Sequence, residues 1–167
     1  AVVVNLISIS TQDNYAQDIP ASSSGELLFY LDQASFAGNE GYSVTEFYLM
    51  FYADQILNIS KTTDNKSEIQ INSVISSLDD DVIAKQSWIT EINFDSNEDS
   101  SNSKVVYDQW KEELKSGDYK IKVEVFSKDQ KKVATANKKF YVPNFSYDKN
   151  SVSDIQFISS VNAKNSS

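Results

Sequence analysis

The run Asp95-Ser96-Asn97-Glu98-Asp99 has the D-x-N-x-D pattern that sets oxygen ligands at alternate positions of a calcium loop. Such a loop also needs Gly at its sixth position and Glu at its twelfth. Ser100 and Val106 stand there instead, which makes the run an acidic, solvated loop. Asp79-Asp80-Asp81 offers three more carboxylates, but consecutive residues of an extended chain point alternately apart, so they read as a turn. No metal and no cofactor is expected. Paired carboxylates do glycosidase work at defined separations. With 24 acids some pair meets that spacing by chance, and a small sandwich offers no deep cleft by default. Three aromatics, Tyr48, Tyr52 and Phe126, fall at outward positions of their strands. They suit a platform for sugar or protein, or they pack beneath a loop or neighbouring strand.

Composition removes whole classes of chemistry. Histidine and cysteine are absent and all 15 basic residues are lysine. That leaves no Ser/His/Asp or Cys/His triad, no zinc site of the usual nitrogen and sulfur kind, no disulfide and no arginine clamp for phosphate. Serines lack a histidine base, and nothing supports a Ser–Lys pair, so the chain reads as no enzyme. The net charge of −9 makes nucleic acid and anionic lipid poor partners. Charge is uneven: residues 1–84 carry a net −10 and residues 85–167 a net +1. Solubility is one use of that asymmetry and head-to-tail association another. Four Asn-x-Ser/Thr sequons, at Asn58, Asn65, Asn144 and Asn165, match what chance yields in a chain rich in Asn and Ser.

These residues must be positioned by strands. A chain of 167 residues is one domain's length and buries about two-thirds of its unfolded surface. Apolar residues recur with period two. Leu27, Phe29 and Leu31 alternate with Leu28, Tyr30 and Asp32. After the turn Gly38-Asn39-Glu40-Gly41, residues 42–56 predict a long strand with Phe47, Leu49, Phe51 and Ala53 on one face and Glu46, Tyr48, Met50 and Tyr52 on the other. Both faces are partly apolar, which suits a central strand. Further strands are predicted at 69–75, from Val82 to about Phe94, at 119–125 and at 133–142, where Pro143 stops the last. A weaker apolar stretch covers 152–161. In 103–115, Val106, Trp110 and Leu114 have i, i+4 spacing and predict a short helical turn. Strands without alternating helices predict an all-β, immunoglobulin- or fibronectin-III-like antiparallel sandwich of seven to eight strands. The expected core is Leu27, Phe29, Leu31, Phe47, Leu49, Phe51, Ile69, Ile71, Trp88, Ile92, Tyr119, Ile121, Val123 and Phe140.

The stretch Leu114-Lys115-Ser116-Gly117-Asp118-Tyr119 resembles the tyrosine corner of Greek-key sandwiches, in which the Tyr hydroxyl bonds backbone a few residues upstream. A tight turn followed by a core aromatic is the plainer alternative. Several runs in order resemble the N-terminal β-sandwich of bacterial GWxTD-domain proteins. These are Phe29-Tyr30-Leu31-Asp32-Gln33-Ala34-Ser35-Phe36, Val44-Thr45-Glu46-Phe47-Tyr48-Leu49, Leu114 to Ile121, Tyr141-Val142-Pro143-Asn144-Phe145 and Val152-Ser153-Asp154-Ile155. Ser116 stands where that pattern has Pro, and the Gly-Trp-x-Thr-Asp motif itself is absent, neither Trp88 nor Trp110 following a Gly. The resemblance covers about residues 25–158 and implies a sandwich and export to the periplasm, outer membrane or exterior. It implies no established activity and no functional residue.

Residues 1–24 form an N-terminal strand and polar linker, 25–143 the sandwich domain, and 144–167 an extension toward any further domain. In the N-terminal strand, Val2, Val4 and Leu6 alternate with Val3, while Ile7 and Ile9 lie near the other face. It is short of the roughly 18–20 residues of a transmembrane helix. It either returns to its own sandwich as first strand or adds to a neighbour's sheet edge, which would make Val2, Val4, Leu6, Ile7 and Ile9 strand-exchange residues. The reading is a non-catalytic exported module for protein–protein interaction or assembly in an envelope or surface structure. Its partner is another protein, itself in an oligomer or filament, or another domain of a longer chain. A filament subunit built by strand exchange and a carbohydrate-binding module are the alternatives.

Overall fold

Period-two alternation carries straight into strands. The computed structural model describes residues 19–39, 41–59, 66–93 and 105–145. In chain order these form β1 (Ala21–Ser22), β2 (Ser24–Gly25), β3 (Phe29–Ala37), β4 (Tyr42–Tyr52), α1 (Ala53–Ile59), β5 (Lys66–Ser77), β6 (Val82–Asn93), β7 (Val105–Lys115), β8 (Gly117–Ser127) and β9 (Lys132–Val142). Two antiparallel sheets result, ordered β1-β3-β4-β7 and β2-β9-β8-β5-β6. This is the all-β sandwich of immunoglobulin-like architecture, with seven long strands and two of two residues each among those described. Phe29, Leu31, Phe47, Leu49 and Phe51 of the first sheet meet Ile69, Ile71, Ile121, Val123 and Val125 of the second. Burying each such side chain stabilises the fold by about 1.5–3 kcal/mol. Phe47 of β4 sets its ring edge-on to Phe140 of β9 at 5.4 Å, joining the layers.

Two expectations need correction. The strand expected over 42–56 ends at Tyr52, where the chain turns into α1. Ala53 and Ile56 are both buried, and an odd and an even position cannot share one face of a strand, whereas i and i+3 share a face of a helix. Asp54 in the first turn complements the helix dipole. The helical turn expected near Trp110 is instead the strand β7. Spacing of four is a multiple of two, so Val106, Trp110 and Leu114 also share a strand face, and β7 lies in register with β4, Phe47 opposite Trp110. Trp88 and Tyr119 of the expected core are half-buried at its margin. Phe94 and residues 95–104 lie outside the described residues, as do 1–18, 60–65 and 146–167.

The edges of the two sheets are joined along both sides. On one side the chain switches sheets between β1 and β2, which pair with β3 and β9 respectively. Gly25 makes the switch possible: its φ is 126°, and a Cβ there would collide with the Val133 carbonyl. Nearby, Lys138 on β9 is buried and its Nζ donates to Oδ1 of Asp32 on β3 at 3.0 Å. On the other side, β6 and β7 are bridged by Asp108. One Asp108 oxygen, Oδ2, accepts from Trp88 Nε1 at 2.8 Å and from the Thr90 hydroxyl. Gln86 Nε2 donates to Glu112 Oε1 at 2.6 Å, and the indoles of Trp88 and Trp110 meet at a tilt, 5.0 Å between ring centres.

The tyrosine-corner expectation holds. β7 and β8 belong to different sheets yet are separated by Ser116 alone. The Tyr119 hydroxyl donates to the Lys115 carbonyl at 2.9 Å, pinning that corner.

Candidate binding face

The first sheet's outward residues gather aromatics that are far apart in the chain. β3, β4 and β7 lie side by side in an order that sequence distance does not reveal. Their register sets Tyr30, Met50 and Tyr107 in one cross-strand row and Asp32, Tyr48 and Gln109 in the next, with Tyr52 beyond, opposite Val105. Each strand needs its alternate residues for the core, so the remaining parity must point out. Four tyrosines, Met50 and Pro20 thus border an open depression of about 360 Å³. Tyr107 is the most exposed of the four, at 73%.

The carboxylates along this face are engaged. Tyr48 donates its hydroxyl to Glu46 Oε2, and Gln109 Nε2 donates to the same oxygen at 3.1 Å. Asp32 is held by Lys138. Burial pushes the Tyr48 phenol well above the ordinary tyrosine range, and the bond to Glu46 and the charges of Glu46 and Asp32 act in the same direction. Tyr48 is therefore a neutral donor at every physiological pH. The face presents apolar and aromatic area, with the Tyr30, Tyr52 and Tyr107 hydroxyls at its polar points.

Of the sequence candidates, Tyr48 and Tyr52 come together on this face. Phe126 does not join them: it is on β8, paired with Gln70, on the outer face of the other sheet. Sequence reasoning missed Tyr30 and Tyr107. Tyr30 was legible as an outward position, whereas Tyr107 was hidden by the helical reading of its segment. The strand-exchange candidates Val2, Val4, Leu6, Ile7 and Ile9, and the calcium-like run at Asp95, lie outside the described residues. Asp79, Asp80 and Asp81 form the β5–β6 turn, in which Asp80 takes a φ of 70° and its Oδ1 meets Lys120 Nζ at 2.6 Å. Among the described residues no cluster of three or more His, Cys, Asp or Glu is arranged to hold a metal ion. No helix among them is long and apolar enough to cross a membrane.

Neither a protein-family model nor a curated protein matches the chain. Among solved structures it is similar to part of the β-glucuronidase of Bacteroides uniformis, with 8% identity and a TM-score of 0.49 over 68% of this chain and 13% of that one. It is also similar to the C-terminal domain of wzt, with 12% identity and a TM-score of 0.43 over 86% of this chain and 89% of that one. The chain spans only 13% of the glucuronidase it matches. Likeness of this degree says nothing of what the chain binds.

Proposed function

We propose that this chain is a non-catalytic binding module of an exported bacterial envelope or surface protein, and that another protein docks on the tyrosine face of its first sheet. The observation that carries the reading is the Tyr30–Met50–Tyr107 row beside Tyr48 and Tyr52, with the neighbouring carboxylates already paired. Aromatics and Met with little unpaired charge are what the centre of a protein interface uses. Glu46 accepts from Tyr48 and Gln109, and Asp32 Oδ1 from Lys138, so the carboxylates beside the rings already serve neighbours. Export rests on the resemblance to the GWxTD-associated sandwich. The absence of a catalytic role rests on the lack of histidine and cysteine in the sequence.

The test is site-specific photo-crosslinking in the source cell. A photoreactive residue at position 107 should give one discrete protein adduct, and one at Gln70, on the opposite face, should not. Tyr30→Ala should diminish the adduct, since loss of an interface aromatic costs roughly 2 kcal/mol or more, about 30-fold in affinity. Equal adducts from both positions, or none from either, would refute protein docking here. If a glycan screen instead shows saturable binding that Tyr107→Ala abolishes, the carbohydrate reading takes its place.

A further inference from the structure

The opposite side of the molecule carries a different chemistry. On the outer face of the second sheet lies a trough of about 630 Å³ whose floor is β5 and β8 and whose sides are β6 and β9. Lysines come to it from three strands: Lys85 of β6, Lys120 and Lys122 of β8, and Lys139 of β9. Pairing places them in two adjacent rows. In one, Lys85, Val74, Lys122 and Asn137 succeed each other across four strands; in the next, Ser76, Lys120 and Lys139 succeed each other across three. Lys120 and Lys139 face each other directly, an arrangement of like charges that destabilises a sheet when nothing lies between them.

Two carboxylates, Asp80 and Glu124, answer part of this charge. Asp80 takes Lys120 at 2.6 Å, and Glu124 takes Lys122 at 2.9 Å and Lys132 at 3.2 Å. Lys85 and Lys139 are exposed and have no ion-pair partner among the described residues. On a chain with a net charge of −9, a trough with more lysines than carboxylates reverses the local sign. Lys85 and Lys139 stand on the outer strands of a four-strand width, three strand spacings and one row apart, roughly 16 Å. That span suits a polymer lying across the strands better than a single small ion.

The neutral groups narrow the polymer. Ser76 and Asn137 in the trough, with Asn72 and Thr135 in the next row, offer donors and acceptors to hydroxyls. Among the described residues no aromatic lines the trough, so bases of a single-stranded nucleic acid find nothing there to stack on, and Asp80 and Glu124 oppose a densely charged phosphate backbone. We propose that this trough binds an acidic polysaccharide, a hydroxyl-rich chain with carboxylates spaced along it. It runs across β6, β5, β8 and β9 with a carboxylate at Lys85 and another at Lys139. The site is separate from the tyrosine face and stands or falls without it.

The experiment is isothermal titration of the full chain with oligogalacturonate, with neutral dextran and single-stranded DNA of similar length as comparisons. Oligogalacturonate should bind, weaken as salt rises, and lose at least tenfold in affinity in the K85Q/K139Q double variant. K111Q, on the other sheet, and Tyr107→Ala should leave that affinity unchanged, which separates this site from the tyrosine face. Backbone amide shifts on adding the oligomer should spread across β6, β5, β8 and β9 and spare β3, β4 and β7, a readout independent of the variants. Absence of oligogalacturonate binding, an equal loss in K111Q, or DNA binding as tight as the uronate would each overturn the proposal.

Discussion

Removing the Asp108 carboxylate should loosen one side of the sandwich, and the chain carries its own reporters of the event. Oδ2 of Asp108 receives the Trp88 indole N–H and the Thr90 hydroxyl, linking β7 of one sheet to β6 of the other. Hydrogen bonds to a charged acceptor contribute about 1.5–3 kcal/mol each, and the half-exposed position places both at the lower end. Asp108→Ala should therefore cost about 2–3 kcal/mol. For a domain of this size that is a fall in Tm of roughly 5–10 °C. Asp108→Asn keeps one carbonyl oxygen but loses the charge, and should cost about half as much. Both tryptophans of the sequence, Trp88 and Trp110, pack against each other at this position. Intrinsic fluorescence thus reads the seam directly, and urea melts followed by emission and by far-ultraviolet circular dichroism separate local opening from global unfolding. In Asp108→Ala the emission should shift to the red before the circular dichroism changes. If the variant loses less than about 0.5 kcal/mol, the level of an ordinary surface substitution, with native emission unchanged, the carboxylate does not hold the sheets together.

Other outcomes follow from the same structure. Tyr119→Phe removes the bond to the Lys115 carbonyl that pins the β7–β8 corner, and chemical denaturation should show a loss of about 1 kcal/mol with the slope unchanged. Hydrogen bonding from Lys122, helped by Lys132, holds the Glu124 carboxyl below its ordinary value of 4.5. Its folded pKa is thus lower than its unfolded one, so its stabilisation is complete above about pH 5 and is lost as pH falls through the lowered value. Glu124→Gln should accordingly flatten the acid limb of a stability–pH curve and leave its shape above pH 6 unchanged; an unaltered acid limb would contradict this assignment. Light scattering of the full chain beside a chain starting at Ile19 tests strand exchange by residues 2–9. Multimers that vanish on truncation support exchange, equal folded monomers exclude it, and an unfolded short chain assigns those residues to their own sandwich.

Parity along the chain was enough to sort inward from outward residues in most of this domain. Phe47, Leu49 and Phe51 were readable as core because successive side chains of any strand take opposite faces, a rule needing no knowledge of neighbours. The corner at Tyr119 was readable because its Gly and Tyr sit at fixed local offsets. Parity failed where one spacing satisfies two periods, as with Val106, Trp110 and Leu114. It was also passed over at Ile56, which breaks the alternation yet was read as part of the strand that ends at Tyr52. Inside and outside are local properties, but which strands become neighbours is not. Tyr48 and Phe126 are both outward residues, and only the pairing of β4 with β3 and β7, and of β8 with β5 and β9, puts them on opposite faces of the molecule. The same pairing brings Tyr107 beside Met50 and Tyr30, and Lys139 opposite Lys120. Sequence alone thus determined an all-β chain with sorted faces and no histidine or cysteine chemistry. The tertiary structure decided that its tyrosines and its lysines occupy separate surfaces, because strand order is chosen by long-range packing of the buried faces, which leaves no mark on the exposed residues.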